Sequence, residues 1–401
     1  MTRTMVLVDR LQQNRRLLVL LAMGSLTAMP GAVIAPVLPD IIQQLQLDRT
    51  LAGYLVSAHY LTVAIFSPLL GLLAERIGSI RVLVFSAISF ALFGAAGTLT
   101  ADFLPMLVTR GLLGAATGGI AAASLGILAR DYADPANRSQ AITYASASIT
   151  LANIVYPFLA GWLGSGQWQF AFYMYGLALP LGILAGLVLP QRRRAASALK
   201  VSIPMRQLLK QVFSHPKVVR LLPTVGLCAA IGFANIIYLP MHLRATVNAD
   251  PVTNGLVLAC QAIGAALAAL GVKRLIQRIG AVPSIISGLG LMAIGLLTFP
   301  QLHTLDYFFP TALLFGAGMG LALTSHFASI AIVAPLELQT IALAVATSMN
   351  FLGQFFSPTL FGWVLRQSSV TTVFYVASGL AILTGLSLLV PVNRLSSRGL
   401  R

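Results

Sequence analysis

The sequence predicts an all-α membrane protein of twelve transmembrane helices, arranged as two pseudo-symmetric six-helix bundles. Three observations lead there: the composition, the lengths of the apolar runs, and short motifs that recur half a chain apart. Of the 401 residues, 57% are hydrophobic and only 9% are charged, and the mean hydropathy is +0.87. Soluble domains carry about 25% charged residues. A chain this poor in charge cannot cover a water-facing globule with polar surface, so most of its surface must meet lipid.

Twelve apolar runs follow one another, at 17–39, 51–73, 81–100, 103–128, 139–164, 169–190, 218–242, 252–272, 282–300, 307–333, 338–365 and 370–391. Crossing the hydrocarbon core as a helix takes about 20 residues, and every run suffices. Helices are required because backbone groups in lipid must find partners inside their own segment. At roughly 33 residues per span and connection, the chain length gives the same count.

The basic residues sort by side. Arg3, Arg10, Arg15 and Arg16 precede the first run, Arg76 and Arg81 follow the second, and Arg130 and Arg138 follow the fourth. Arg192, Arg193, Arg194, Lys200, Arg206, Lys210 and Lys217 lie between the sixth and seventh. Lys273, Arg274 and Arg278 follow the eighth, and Arg394, Arg398 and Arg401 close the chain. The alternate connections hold only Arg49, Arg244 and Arg366, and the connection around Glu337 has no basic residue. The positive-inside rule then puts both termini in the cytoplasm, as an even number of spans requires. The expected location is the cell inner membrane. The net charge of +16 reads as this topology signal, not as a nucleic-acid surface. The basic N-terminus resembles a signal peptide, but the long run and the lack of a small-x-small cleavage site make it an uncleaved first span.

The longest polar stretch, 191–217, divides an N-terminal bundle, 1–190, from a C-terminal bundle, 218–401. Within it, Met205 to Phe213 has apolar residues at helical spacing, which predicts a short amphipathic helix on the cytoplasmic face with Arg206 and Lys210 toward headgroups. Cys228 and Cys260 both fall inside apolar runs and read as small core residues.

The halves repeat. Glu75-Arg76-Ile77-Gly78 after the second run matches Gln277-Arg278-Ile279-Gly280 after the eighth. In the fifth run stands Tyr156-Pro157-Phe158-Leu159-Ala160-Gly161-Trp162, and in the eleventh Ser357-Pro358-Thr359-Leu360-Phe361-Gly362-Trp363. Two matches at one offset of roughly two hundred residues argue for duplicated six-helix units. Parallel repeats of this kind carry a binding site near the midplane in one large transporter class.

The stretch Gly71-Leu72-Leu73-Ala74-Glu75-Arg76-Ile77-Gly78-Ser79-Ile80-Arg81 resembles the signature G-x-L-a-D-R-x-G-x-x-R of the major facilitator superfamily, with Glu75 in place of Asp. Gly71 permits close helix approach and Gly78 a tight reversal. By the resemblance, Gly71, Glu75, Arg76, Gly78 and Arg81 form a conformational latch. Arg110, inside the fourth run and followed by Gly111, Gly114, Gly118 and Gly119, resembles the family's R-x-x-x-G motif, with Leu113 where Gln is common. The family links that arginine to proton movement or substrate; a structural arginine bonded to carbonyls is the other reading. The antiporter signature G-x-x-x-G-P-x-x-G-G is degenerate here, keeping Pro157 and Gly161. Trp168-Gln169-Phe170-Ala171-Phe172 and Pro36-Val37-Leu38-Pro39 look like the twelve-helix drug/proton antiporters of the superfamily.

All ten acids (Asp9, Asp40, Asp48, Glu75, Asp102, Asp131, Asp134, Asp250, Asp306 and Glu337) lie at span ends or in connections. Arg110 therefore has no obvious buried counter-ion, and an unpaired buried cation attracts an anion. Histidine can replace a coupling carboxylate, since its ordinary pKa of about 6.5 suits proton exchange. His59, at about the depth of Arg110, and His326 are the candidates, and each is equally a hydrogen-bonded core residue. Asn153, Asn235, Tyr238, Gln261, Ser325, Asn350 and Gln354 either line a cavity or tie helices together. Asn235 and Tyr238 rank first, because the family's first, fourth, seventh and tenth spans line its cavity.

The resemblance implies secondary transport by alternating access, with proton-coupled export of amphipathic or drug-like compounds as the leading reading. An organic-anion transporter using Arg110 as its anion site stays open, as does a non-transporting membrane sensor. The expected partners are a small-molecule substrate, protons and the lipid bilayer, with no nucleic acid, and the expected state is a monomer. No metal-ligand spacing, H-E-x-x-H, buried Asp pair, Ser-His pair or nucleotide loop is present, so neither an enzyme nor a cofactor or metal is expected.

Overall fold

The computed structural model describes residues 3–100, 102–132, 134–189 and 205–390. Among the described residues, twelve helices are long and apolar enough to cross a membrane. They are span one (Asn14–Gln44), two (Arg49–Ile77), three (Ser79–Leu99), four (Phe103–Asp131), five (Asn137–Gly164), six (Gln169–Val188), seven (Pro216–Val247), eight (Pro251–Ile279), nine (Ala281–Gln301), ten (Leu305–Val333), eleven (Gln339–Gln367) and twelve (Val370–Ser387). The chain forms two compact units, Met1–Leu47 with Tyr54–Ala196, and Asp48–Gly53 with Ser197–Arg401. The main division falls inside the expected linker. The start of span two groups with the second unit, which the sequence does not announce.

Several helices run past the apolar stretches that mark them. Span two continues to Ile77 and span three starts at Ser79, so Gly78 alone separates them. Glu75, Arg76 and Arg81 therefore sit on helical turns at the surface, where the sequence suggests a loop. Gly78 has φ +105°, and Gly280, between spans eight and nine, has φ +92°. A side chain at either φ is strained, so the reversal needs glycine. Gly71 is different: a methyl there would meet only Ala122, at an ordinary 3.6 Å. The expected close approach lies further along. A methyl on Gly114 would strike the backbone of His59, and one on Gly118 the backbone of Ser67. Spans two and four meet there, backbone to backbone, where the motif suggested Gly71.

The second unit reproduces this design. Arg49–Ile77, Ser79–Ala96, Gly97–Leu99 and Phe103–Asp131 return as Pro251–Ile279, Ala281–Thr298, Phe299–Gln301 and Leu305–Val333, each 202 residues on. Gly316 meets the backbone of Gln261 as Gly114 meets that of His59. Even the caps recur. Asp48 accepts from the Thr50 N–H and hydroxyl, each at 2.8 Å, and Asp250 accepts from the Thr253 N–H at 2.8 Å. The Thr50 N–H, then its hydroxyl, holds the Asp48 carboxyl below the usual carboxylate range. Partial burial opposes the same shift at Asp250, but the hydrogen bonds from Thr253 outweigh it.

The linker's amphipathic helix is present at Met205–Ser214. Leu208 and Val212 are buried, Arg206 and Lys210 are exposed, and it packs against spans seven and eleven of its own unit. The rest of the linker, 191–204, lies outside the described residues. Cys228 and Cys260 are both free thiols.

Replacing Gly78 or Gly280 by Ala should each cost about 1–3 kcal/mol, the strain of a side chain in such a conformation. The unfolding midpoint of the purified protein in detergent checks this; a midpoint equal to wild type would show that the turn does not need glycine.

Candidate functional site

In the second unit, spans seven, eight, ten and eleven carry most of the polar residues singled out in the sequence. Asn235 donates from Nδ2 to Gln261 Oε1 at 2.8 Å, while its own Oδ1 is buried without a partner. Such an orphaned acceptor costs about 1–3 kcal/mol. Tyr238 lies one turn on and is fully buried. Gly362 of span eleven faces it, since a methyl there would sit 3.6 Å from the phenol oxygen. Ser357, just before Pro358, donates to the Ala230 carbonyl at 2.8 Å and ties span eleven to span seven. In the first unit Tyr156, just before Pro157, shares a 2.9 Å hydrogen bond with Ser25 of span one. The repeated proline motif thus marks an equivalent helix-to-helix tie in each half. Pro157, Gly161, Pro358 and Gly362 are all buried.

His326 is buried with a hydrogen-bond partner at each ring nitrogen. Its Nδ1 lies 2.8 Å from the Ala322 carbonyl, and its Nε2 lies 3.1 Å from the Thr224 hydroxyl. A carbonyl only accepts, so Nδ1 carries a hydrogen. The Thr224 hydroxyl also lies 2.8 Å from the Leu221 carbonyl. With a neutral ring, Thr224 gives its proton to Nε2. With a protonated ring, Nε2 donates to the hydroxyl oxygen and Thr224 donates to Leu221. Both states find partners without any heavy atom moving. His59 contrasts with this: it is 1% exposed, rests against Tyr60, and its buried Nδ1 makes no hydrogen bond.

Arg110 is fully buried in the first unit, with the carbonyl bonds of the structural alternative and with Nε left without a partner. Nη2 donates to the carbonyls of Gly94 (2.9 Å) and Phe93 (3.4 Å), and Nη1 donates to the Tyr175 hydroxyl at 3.2 Å. The guanidinium carbon lies 4.7 Å from the Phe172 ring centre and 5.3 Å from that of Tyr175. Carbonyl dipoles and ring faces take the place of a counter-ion.

One feature of span five escapes a search for single ionisable residues. Ser139, Thr143, Ser146, Thr150 and Asn153 recur every three or four positions and so share one helix face. None of the five is buried, and Ser139, Thr143 and Ser146 line a cleft of about 420 Å³ with Arg138 and Ile142. Their side chains bond back to carbonyls of the preceding turn, as in Thr143 to Ser139 at 2.9 Å and Thr150 to Ser146 at 3.0 Å. The spacing alone would have revealed the stripe. Thr224 carried no such signal, because its partner stands 102 residues away. Among the described residues no cluster of His, Cys, Asp and Glu has metal-binding geometry.

The sequence model of the Major Facilitator Superfamily matches residues 17–244 and 221–400. Multidrug resistance protein 1 of Bacillus subtilis is 29% identical over 192 residues, 46% of this chain and 47% of that protein. The quinolone resistance protein NorA of Staphylococcus aureus is 24% identical over 201 residues, 49% of this chain and 52% of that protein. The chain thus spans about half the length of these two relatives. Among solved structures, the nucleoside transporter NupG superposes with a TM-score of 0.80 at 13% identity, covering 93% of this chain and 99% of that one. An inward-facing bacterial homolog of the human lysosomal transporter Spinster gives 0.75 at 16% identity, covering 94% and 95%. These likenesses establish the fold.

Expected outcome: Thr224→Val leaves His326 Nε2 buried without a partner and costs about 1–3 kcal/mol. The same change at exposed Thr347 should cost little. Thermal unfolding of both variants makes the comparison, and equal midpoints would remove the Thr224–His326 bond from the packing of the second unit.

Proposed function

We propose, from the premise that this chain belongs to the Major Facilitator Superfamily, that it is a secondary transporter moving a small amphipathic solute by alternating access, exporting it in exchange for protons. The observation that carries the reading is the polar stripe of span five. Five hydroxyl and amide side chains on one unburied face of a membrane-crossing helix fit a water-filled path far better than hydrocarbon. Resistance relatives such as those of Bacillus subtilis and Staphylococcus aureus support export as the direction. The charge bias of the connections supports cytoplasmic termini.

The roles follow from chemistry. Asn235, with its orphaned Oδ1, accepts from an N–H or O–H of the solute, and Tyr238 beside it supplies a ring face. His326 is the coupling group, because both its protonation states find partners in Thr224, Leu221 and Ala322. His59 is the weaker candidate. Glu75, exposed on the last turn of span two, keeps the charge of the motif carboxylate and biases the balance between access states. The organic-anion reading is the weaker one, since the Nη atoms of Arg110 already bond two carbonyls and a phenol and Nε is left buried without a partner.

Proteoliposomes with an acidic lumen and an internal pH dye test the proposal, with ethidium, puromycin and oleate as probes. Ethidium or puromycin should release protons from the lumen only when the protein is present. Movement of oleate alone, insensitive to the gradient, would overturn proton-coupled export. His326→Gln should flatten the pH dependence of flux, whereas an unaltered profile would take His326 out of the coupling. Ser146→Leu should cut flux at least several-fold with the protein still folded, and full flux would remove the stripe from the path.

A further inference from the structure

We infer that Arg110 is a positioning residue: with Gly97 it forms a size-matched pair that locks spans three, four and six together, and the second unit makes the same lock as Phe299 with Ala312. The first observation is the fit itself. A methyl added to Gly97 would lie 2.6 Å from Arg110 Nη2 and 2.6 Å from the edge of the Phe172 ring. A side chain on Gly94 would fall on the Tyr175 ring. Gly94 and Gly97 thus leave a notch in the end of span three. The guanidinium enters it from span four, and Phe172 and Tyr175 enter from span six. Tyr175 reaches on to the Pro30 carbonyl of span one at 3.3 Å, and Phe90 packs edge-on to it at 5.6 Å.

The second observation comes from the duplication. At the offset of 202 set by spans three and four, Gly97 corresponds to Phe299 and Arg110 to Ala312, and on span twelve Phe374 takes the place of Phe172 by its contact with Phe299. Phe299 and Phe374 lie with ring centres 5.8 Å apart, so the contact that Phe172 makes at Gly97 is made again in the second unit. All three counterparts are buried. The small and large members have changed places: glycine and arginine stand in one half where a buried phenylalanine and a buried alanine stand in the other. Gly94 and Tyr175 show the same exchange, with Leu296 and Ala377 at their counterpart positions, both buried. A charge needed for substrate or protons has no reason to trade volume with its neighbour. A filler of a fixed space must. Phe299 is held further by the rings of Phe308 and Phe315, each at 6.2 Å, and His242 Nε2 lies 3.2 Å from its carbonyl.

The test is a double-mutant cycle on the full chain, with the unfolding midpoint in detergent and flux in proteoliposomes as readouts. Arg110→Ala should lower the midpoint by several degrees. Adding Gly97→Phe should recover most of that loss, and with it the flux of whichever probe (ethidium, puromycin or oleate) the wild type carries. An Arg110→Ala midpoint equal to wild type overturns the lock. A double variant that regains its midpoint while flux stays at the Arg110→Ala level overturns it too, because the charge itself would then be required. Gly97→Ala covers the case in which phenylalanine does not fit. It should destabilise the wild type, where it meets both the guanidinium and the Phe172 ring, and destabilise Arg110→Ala distinctly less, since only the Phe172 contact remains there. Additive effects in that cycle refute the pairing.

Discussion

Hydrocarbon offers no hydrogen bonds, so every polar group carried into it must be answered from within the protein. That constraint makes the chain helical, and it also governs the side chains. Hydroxyls along span five fold back onto the preceding turn of their own helix. Asp48 and Asp250 close the starts of spans two and eight by accepting from threonine N–H groups. Arg110, the hardest group to accommodate, is answered by two carbonyls, a phenol and two ring faces. The answer is incomplete at Asn235 Oδ1 and at Arg110 Nε, both buried without a partner.

The duplication shows how one scaffold satisfies the constraint twice with different atoms. Helix ends, glycine reversals and the backbone approaches at Gly114 and Gly316 recur at a single offset. These are backbone requirements, and they tolerate little change. Side-chain volume is free to move between neighbours provided that the total fits, which is why Gly97 beside Arg110 can stand where Phe299 above Ala312 stands in the other half. The polar side chains differ along the same line: a histidine with a partner at each ring nitrogen lies in the second unit, and the long hydroxyl stripe lies in the first.

Much of the architecture was legible because the signals are local. Twelve runs of sufficient length, the charge bias and the paired proline motifs need no knowledge of what touches what. Gly78 was readable as a reversal for the same reason. What no local signal supplied was the neighbour: span two is approached most closely at Gly114 and Gly118 and not at Gly71, and the partners of Arg110 lie on other helices. Tyr175 and Gly94 are 65 and 16 residues from Arg110, and no periodicity connects them.

By itself the sequence determined the helix count, the twofold repeat, the amphipathic helix after the linker and the residues worth suspecting. These follow from hydropathy, charge and backbone conformation, which act within a few turns of chain. Tertiary structure alone decided what each suspect does: His326 gained Thr224, Asn235 gained Gln261 and kept a free acceptor, and Arg110 filled a notch cut by two glycines. Those outcomes depend on which helix faces are pressed together. In a membrane that choice rests on packing and on a few interhelical hydrogen bonds, each worth about 0.6 kcal/mol, and such small, distant terms leave no trace in linear spacing.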